Sequence, residues 1–265
     1  MQVAVCVKMV PVPEQWSQIT FREDGSLQRE GIELIINPVD RNALEEALKI
    51  RQDQGGTVAV FSMGPTSCLE HLREALAMGA DRAFLLSGRN FAGADTLATS
   101  KVLAAGIRKE MPDFDLVVCG SASIDSGTAQ VGPQLAAHLG AAHLTEAFSI
   151  SAVEQNYFQV KTAASHGHYV TSLKSPVVIS VTQQINKPRI PTLFNIMASC
   201  SKEIIILSSA ELSLSKSESG LEGSPTKVQE LFFPPAKRLA RILEGSIEDR
   251  VEELFKQPGV AGVFK

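Results

Sequence analysis

The run Asp115-Leu116-Val117-Val118-Cys119 constrains the fold more than any other segment. Its β-branched and apolar residues specify a strand buried on both faces. It stops at a glycine, passes through Ser121-Ala122-Ser123-Ile124-Asp125-Ser126-Gly127, and leads into a helix expected from about Thr128 to residue 139. An open α/β sheet holds a nucleotide in this way. Loop backbone approaches the ligand closely, and free N–H groups at the helix start meet phosphate. The spacing is neither GxGxxG nor GxxxxGK[ST], so the Rossmann fingerprint and the P-loop are excluded. A second segment, Ala94-Asp95-Thr96-Leu97-Ala98-Thr99-Ser100, opens another helix with hydroxyls three residues apart. Two such starts predict a dinucleotide-sized ligand. Taken alone, Thr96 and Thr99 also read as ordinary cap hydroxyls.

Elsewhere strands and helices alternate. Residues 2–10 read as a strand ended by Pro11 and Pro13, and 17–36 as a β excursion turning at Asp24-Gly25. A helix follows Asn37-Pro38, with Asp40 expected as its N-cap, Ala43, Leu44, Ala47 and Leu48 as its apolar stripe, and Gly55-Gly56 as its end. Then come a strand at 57–62, a helix opened by Gly64-Pro65, a strand at 82–87 and a helix at 95–110. This alternation predicts an α/β fold with an open parallel sheet covered by helices on both faces. From about residue 143 the segments 146–153, 157–163, 168–173 and 177–182 are short and extended, with turns at Gln155-Asn156 and His166-Gly167. They predict a small antiparallel sheet. Residues 183–202, with Pro188 and Pro191, read as an irregular loop. The chain therefore divides into a nucleotide-binding domain, 1–207, and a linker with a C-terminal helical arm, 208–265. A helix over about 235–255 carries the stripe Leu239, Ile242, Leu243, Ile247, Val251 and Leu254.

Composition narrows the function. A net charge of −4 gives no footprint for nucleic acid. No apolar run reaches the roughly 18 residues of a membrane span. Met1–Lys8 reads as a strand and lacks the charged and long apolar regions of a signal peptide. Cys6, Cys68, Cys119 and Cys200 lie far apart without a CxxC, so neither a metal site nor a disulfide framework is expected, and a reduced cytoplasm is the default.

Several blocks resemble the beta subunit of the electron-transfer flavoproteins over roughly residues 1–205. They are Val5-Cys6-Val7-Lys8, Ile36-Asn37-Pro38, Gly64-Pro65, Ala75-Leu76-Ala77-Met78-Gly79-Ala80-Asp81-Arg82, the Gly120–Pro133 loop, Asn186-Lys187-Pro188-Arg189 and Thr192-Leu193-Phe194-Asn195-Ile196-Met197. The resemblance implies pairing with an alpha subunit that carries an FAD. It also implies a nucleotide on this chain: AMP in simple shuttles, or a second FAD that exchanges hydride with NADH in the electron-bifurcating group. Asp95-Thr96-Leu97-Ala98-Thr99-Ser100 is similar to the bifurcating version, because FAD adds a second phosphate and a ribityl chain that need more donors. Asp95 is expected to cap the helix or orient polar neighbours, since like charges repel.

Carried over by position, the cofactor site comprises Cys6, Asn37, Met63, Gly64, Asp95, Thr96, Thr99, Gly120, Ser123, Asp125, Thr128, Ala129, Gln130 and Val131, with backbone contacts dominant. Leu193, Ile196 and Met197 match the family's anchor for an acyl-CoA dehydrogenase or another flavin dehydrogenase. Val160–His168 departs from the family, which carries an arginine and acidic residues there. The resulting expectation is a bifurcating subunit binding FAD, with NADH as donor and a low-potential ferredoxin or flavodoxin as one acceptor. A simple shuttle subunit holding AMP, and a regulatory nucleotide-binding module without redox function, are the alternatives. No catalytic side chain is assigned.

Overall fold

The computed structural model describes residues 1–18, 20–21, 27–28, 31–153, 156–229 and 242–257. The chain forms two compact units, Met1–Gln229 and Glu230–Lys265.

In the first unit β1 (Gln2–Cys6) lies in the middle of the main sheet, with Val3, Ala4 and Val5 fully buried. The chain then leaves that sheet. β2 (Met9–Pro11) pairs antiparallel with β5 (Leu34–Ile36), and β3 (Thr20–Phe21) with β4 (Leu27–Gln28). The strand expected over 2–10 is therefore two strands in different sheets. The break comes at Lys8, whose N–H goes to the Asp40 carboxylate and not to a neighbouring strand. The expected turn at Asp24-Gly25 lies outside the described residues.

α1 (Pro38–Gln54) starts one residue after Asn37 and ends at Gly55. Proline at the first helical position loses no hydrogen bond and pre-sets the helical φ. Asp40, expected as the cap, thus sits inside the first turn. β6 (Thr57–Met63), α2 (Leu69–Met78), β7 (Arg82–Leu86), α3 (Thr96–Glu110) and β8 (Leu116–Gly120) follow in strict alternation. α4 (Val131–Leu139) begins three residues later than expected. The left-handed φ of Gly127 (63°) and of Ala129 (55°) prevents an earlier helical turn.

β9 (Ala142–Val153), β10 (Tyr157–Ala164) and β11 (Gly167–Lys174) form the antiparallel excursion, and β12 (Val177–Val181) returns to the parallel part. The hairpin residue Asn156 has φ 62°, while Gln155 lies outside the described residues. β9 pairs in parallel with β12 at its start and antiparallel with β10 beyond Ala147, so the excursion prolongs the main sheet. β12 was expected within the antiparallel set. It is buried throughout, which suits a strand packed on both faces. The 183–202 segment also holds more structure than expected. α5 (Leu193–Cys200) is capped by the Thr192 hydroxyl, which accepts the Asn195 N–H, and both prolines precede it. β13 (Ile204–Leu207) then adds to the sheet beside β7.

The sheet order is β11-β10-β9-β12-β8-β1-β6-β7-β13. From β1 the chain builds outward through β6 and β7, then crosses back to place β8 on the other side of β1. Connections therefore diverge between β1 and β8, and such a switch point opens a crevice at the carboxyl ends of the strands. α1 and α2 cover one face, over Val3, Val5, Val58, Val60, Leu116 and Val118. α3 and α4 cover the other, over Ala4, Cys6, Ala59, Phe61, Val117 and Cys119. The period-two alternation along each strand decides which residues meet which helices. The serine-rich segment after β13 folds onto this unit. Leu212 packs in the α3–α4 core, and Ser219 and Ser224 are buried.

In the second unit α6 (Ile247–Phe255) opens with a capping box, in which Ser246 and Asp249 exchange hydrogen bonds. Of the helix expected over 235–255, residues 235–241 lie outside the described residues and 242–246 are not helical. Gly245, at φ 111°, and the Ser246 cap set the start.

Candidate functional site: the crevice between β1 and β8

The carboxyl ends of β1 and β8 lie side by side, with Cys6 opposite Cys119. The start of α1 holds them together. Asp40 accepts the Lys8 N–H at 2.8 Å through Oδ2 and the Gly120 N–H at 3.0 Å through Oδ1. Burial pushes the Asp40 carboxyl up to about 6, although those two N–H groups, Asn37 and the Lys8 charge oppose the rise. Gly120 lacks a positive φ. Its need for glycine is steric, because a Cβ there would stand 2.3 Å from Asp40 Oδ1.

Asn37, fully buried, holds the loop from below. Its Nδ2 donates to Ala122 O at 3.1 Å, and its Oδ1 accepts the Ile124 N–H at 3.2 Å. Lys8 reaches the same loop, donating from Nζ to Asp125 Oδ1 at 2.6 Å, Ser123 Oγ at 3.2 Å and Ser126 Oγ at 3.4 Å. Beyond this braced arch, residues 126–130 are exposed. The α4 start they lead to has no side-chain cap, and Pro133 in its first turn has no N–H. An uncapped helix start suits an anion.

The start of α3 is finished differently. Asp95 Oδ1 accepts the Ala98 N–H at 3.0 Å and Oδ2 the Thr226 N–H at 3.0 Å, while the Asp95 N–H donates to Ser224 Oγ at 2.8 Å. Burial raises the Asp95 carboxyl, but hydrogen bonds from Ala98, Thr226 and Leu97 together hold it below its ordinary value. Thr96 Oγ1 donates to Gln130 Oε1 at 3.0 Å, which joins the two helix starts. Thr99 is half-buried one turn further on.

The structure thus brings together Asn37, Gly120, Ser123 and Asp125 around Lys8, and Thr96 with Gln130. Thr128, Ala129 and Val131 complete the approach to α4. Met63 and Gly64 lie at the end of β6, on the other side of β1, where the Gly64 N–H donates to Leu86 O at 3.1 Å. Cys6 and Cys119 are buried thiols. Burial, Cys119 and Asp40 raise Cys6 well above its ordinary value, and burial with Asp40 pushes Cys119 up to about 12. They pack and do not react. Leu193, Ile196 and Met197 are not part of this crevice. They belong to α5, which packs against α2. There Leu193 is 74% exposed and Met197 68%. Two cavities lie away from the crevice. One lies between α2 and α5, the other along α3 and α4 toward His138 and Glu211.

Sequence reasoning gave no role to Lys8 and misplaced Asp40. The available signal was spacing, since Asn37 and Asp40 lie three apart and share a helix face.

The sequence profile described as electron transfer flavoprotein domain matches residues 24–212. The electron transfer flavoprotein subunit beta of Thermoanaerobacterium thermosaccharolyticum is 42% identical over 261 residues, covering 97% of each chain. This chain belongs to the electron transfer flavoprotein beta-subunit family. Two further family relatives carry more specific names. The caffeyl-CoA reductase-Etf complex subunit CarD of Acetobacterium woodii is 40% identical over 252 residues, 95% of each chain. The acryloyl-CoA reductase electron transfer subunit gamma of Anaerotignum propionicum is 36% identical over 260 residues, 96% of each chain. Among the described residues, no helix is long and apolar enough to cross a membrane.

Proposed function

We propose that this beta-subunit family member holds FAD in the β1–β8 crevice and serves a cytoplasmic flavoprotein that bifurcates electrons from NADH. The joined helix starts carry the reading, because the Thr96–Gln130 hydrogen bond links the hydroxyl-bearing start of α3 to the uncapped start of α4. In this reading Ser123, Thr128, Ala129, Gln130 and Val131 bind a phosphate chiefly through backbone N–H groups, while Gly120, whose own N–H is held by Asp40, lets the loop backbone approach the ligand. Asn37, Asp125 and Lys8 keep that loop in shape. Cys6, Met63 and Gly64 flank the adenosine. Thr96 and Thr99 offer hydroxyls to the ribityl chain, while Asp95 keeps α3 capped. A bound flavin supplies the exchange between hydride chemistry and single-electron transfer, and the chain's own part is placement and electrostatics.

The partners in this reading are an alpha subunit carrying a second FAD, a low-potential ferredoxin or flavodoxin, and an acyl-CoA dehydrogenase-type enzyme. Residues 208–265 include the arm that docks on the alpha subunit. The relatives named for caffeyl-CoA and acryloyl-CoA reductase support the dehydrogenase side. Leu193, Ile196 and Met197 on α5 are the proposed anchor for that enzyme.

One observation favours the AMP-holding shuttle as a second reading. The carboxylate of Asp95 occupies the α3 start and repels a second phosphate there. Cofactor content decides. The heterodimer, purified without oxygen and under conditions that retain bound cofactor, is expected to release two FAD per complex. One FAD with one AMP would establish the shuttle instead.

A further inference from the structure

The exposed helix α5 is held at both ends. At its C-terminus Arg73, on α2, donates from Nη1 to Ser199 O at 2.6 Å and Lys202 O at 2.9 Å. Lys202 Nζ in turn donates to Ala80 O at 2.7 Å. On the N-terminal side, residues 186–189 are fastened to one face of α1. The Asn42 amide donates to Asn186 O at 2.8 Å and Asn186 Oδ1 at 3.0 Å. Asn186 Nδ2 donates to Asn42 O at 3.0 Å and Glu46 Oε2 at 2.9 Å.

The strongest part of this fastening is Glu45, whose side chain is 6% exposed. It accepts Arg189 Nε at 2.7 Å and Nη2 at 3.0 Å, and also the Arg189 backbone N–H at 3.1 Å. A fork-to-carboxylate pair with an added backbone donor fixes direction as well as distance. Immediately beyond it Ile190 is 87% exposed, and then Thr192 caps α5. Carboxylates are rarely buried unpaired on a helix face. Glu45 therefore holds the Arg189 end of a segment whose other end is fixed by the Asn42, Asn186 and Glu46 hydrogen bonds.

We infer that Glu45 and Arg189 are a positioning pair that sets α5 in a fixed pose for the flavin dehydrogenase, without touching either flavoprotein cofactor or dehydrogenase. The inference rests on the proposed docking role of Leu193, Ile196 and Met197. A pre-fixed docking element binds more tightly because less freedom is lost on association. Removing the pair should therefore weaken docking while leaving the bound reaction unchanged.

The test uses the intact heterodimer, with an acyl-CoA dehydrogenase reduced by its substrate as the probe partner. Glu45→Gln is expected to raise the apparent KM for the dehydrogenase about tenfold, as loss of pre-organisation does. The kcat should stay within about twofold and nucleotide content should match the wild type. Hydrogen exchange of amides 190–200 should accelerate, with the rest of the first unit unchanged. Arg189→Lys keeps the charge but loses the fork, so its KM should fall between the two. Leu193→Asp separates the inference from the reading beneath it. If Leu193→Asp raises KM and Glu45→Gln does not, the positioning assignment is wrong. If Leu193→Asp leaves KM unchanged, the docking role itself fails. A Glu45→Gln protein that loses nucleotide together with docking would make the pair a general fold element and overturn the assignment.

Discussion

The two helix starts that meet through Thr96 and Gln130 are built on opposite plans. The α4 start has no cap of its own, is exposed, and is shaped from beneath by Asn37, Asp40 and Lys8. The α3 start is satisfied internally by Asp95 and tied to the serine-rich segment at Ser224 and Thr226. The first leaves donors free where anionic charge is welcome. The second has already placed a negative charge where its free donors would be, and offers only hydroxyls. A ligand spanning both therefore meets phosphate chemistry at α4 and polyol chemistry at α3.

The largest way to break this contrast is Gly120→Val. Its side chain would meet Asp40 Oδ1, Asp40 N and Val39 C, so the arch under α4 must move. The heterodimer should lose its nucleotide and about 3 kcal/mol of stability, as severe overpacking does. Cys119→Ala, next door, should keep the nucleotide. Cofactor release and chemical denaturation read both, and equal retention in the two variants would remove the loop from the site.

Thr96→Val with Thr99→Val sharpens the α3 side. If both hydroxyls donate to FAD, affinity should fall about 100-fold, from about 1.5 kcal/mol for each bond. AMP affinity, measured by titration calorimetry, should change less than about twofold if its phosphate rests on α4, as the proposed site has it. Equal losses for the two ligands would mean that both starts serve one phosphate.

Asp40 gives the α4 side a pH signature. Its folded value of about 6 lies above the unfolded 3.8, so the native state keeps a proton that the unfolded chain has released. Stability from this site is thus present below pH 4, declines by about 1 kcal/mol per unit up to pH 6, and is flat above. Denaturation from pH 4 to 7 should show that decline, and Asp40→Asn should flatten it. A slope that survives the substitution would belong to another group.

The smallest effect is expected from Asp95→Ala, which removes a cap worth about 1 kcal/mol. The Asp95 carboxyl is held low in the fold, so its contribution is present above the unfolded value and is lost as pH falls through the folded one. The variant should lower the unfolding midpoint at pH 7 and hasten exchange at 224–229, with AMP retained. Unchanged exchange there would show that the serine-rich segment is held by its own contacts.

The core of the fold was legible from the chain alone. Continuous apolar runs such as Leu116–Cys119, and stripes such as Ala43, Leu44, Ala47 and Leu48, identify strands and helices because burial leaves a pattern along the sequence. The Gly120–Pro133 loop marked a strand end and a helix start for the same local reason. α5 and β13 were not legible. A single hydroxyl cap and an edge pairing decide them, and neither leaves a period. The splitting of residues 2–10 escaped notice too, because Lys8 ends its ladder only when Asp40, 32 residues away, arrives to take the N–H.

By itself, then, the sequence determined the alternating α/β class, the family, and the small-residue loop after β8. Only the tertiary structure decided how that loop is held, why Gly120 cannot carry a side chain, and which helix start remains open to an anion. It likewise joined Glu45 to Arg189 across 144 positions of chain. The physical reason is range. Periodicity and capping are settled by neighbours within a few residues, whereas a buried carboxylate finds its donors wherever the sheet's crossing order brings them.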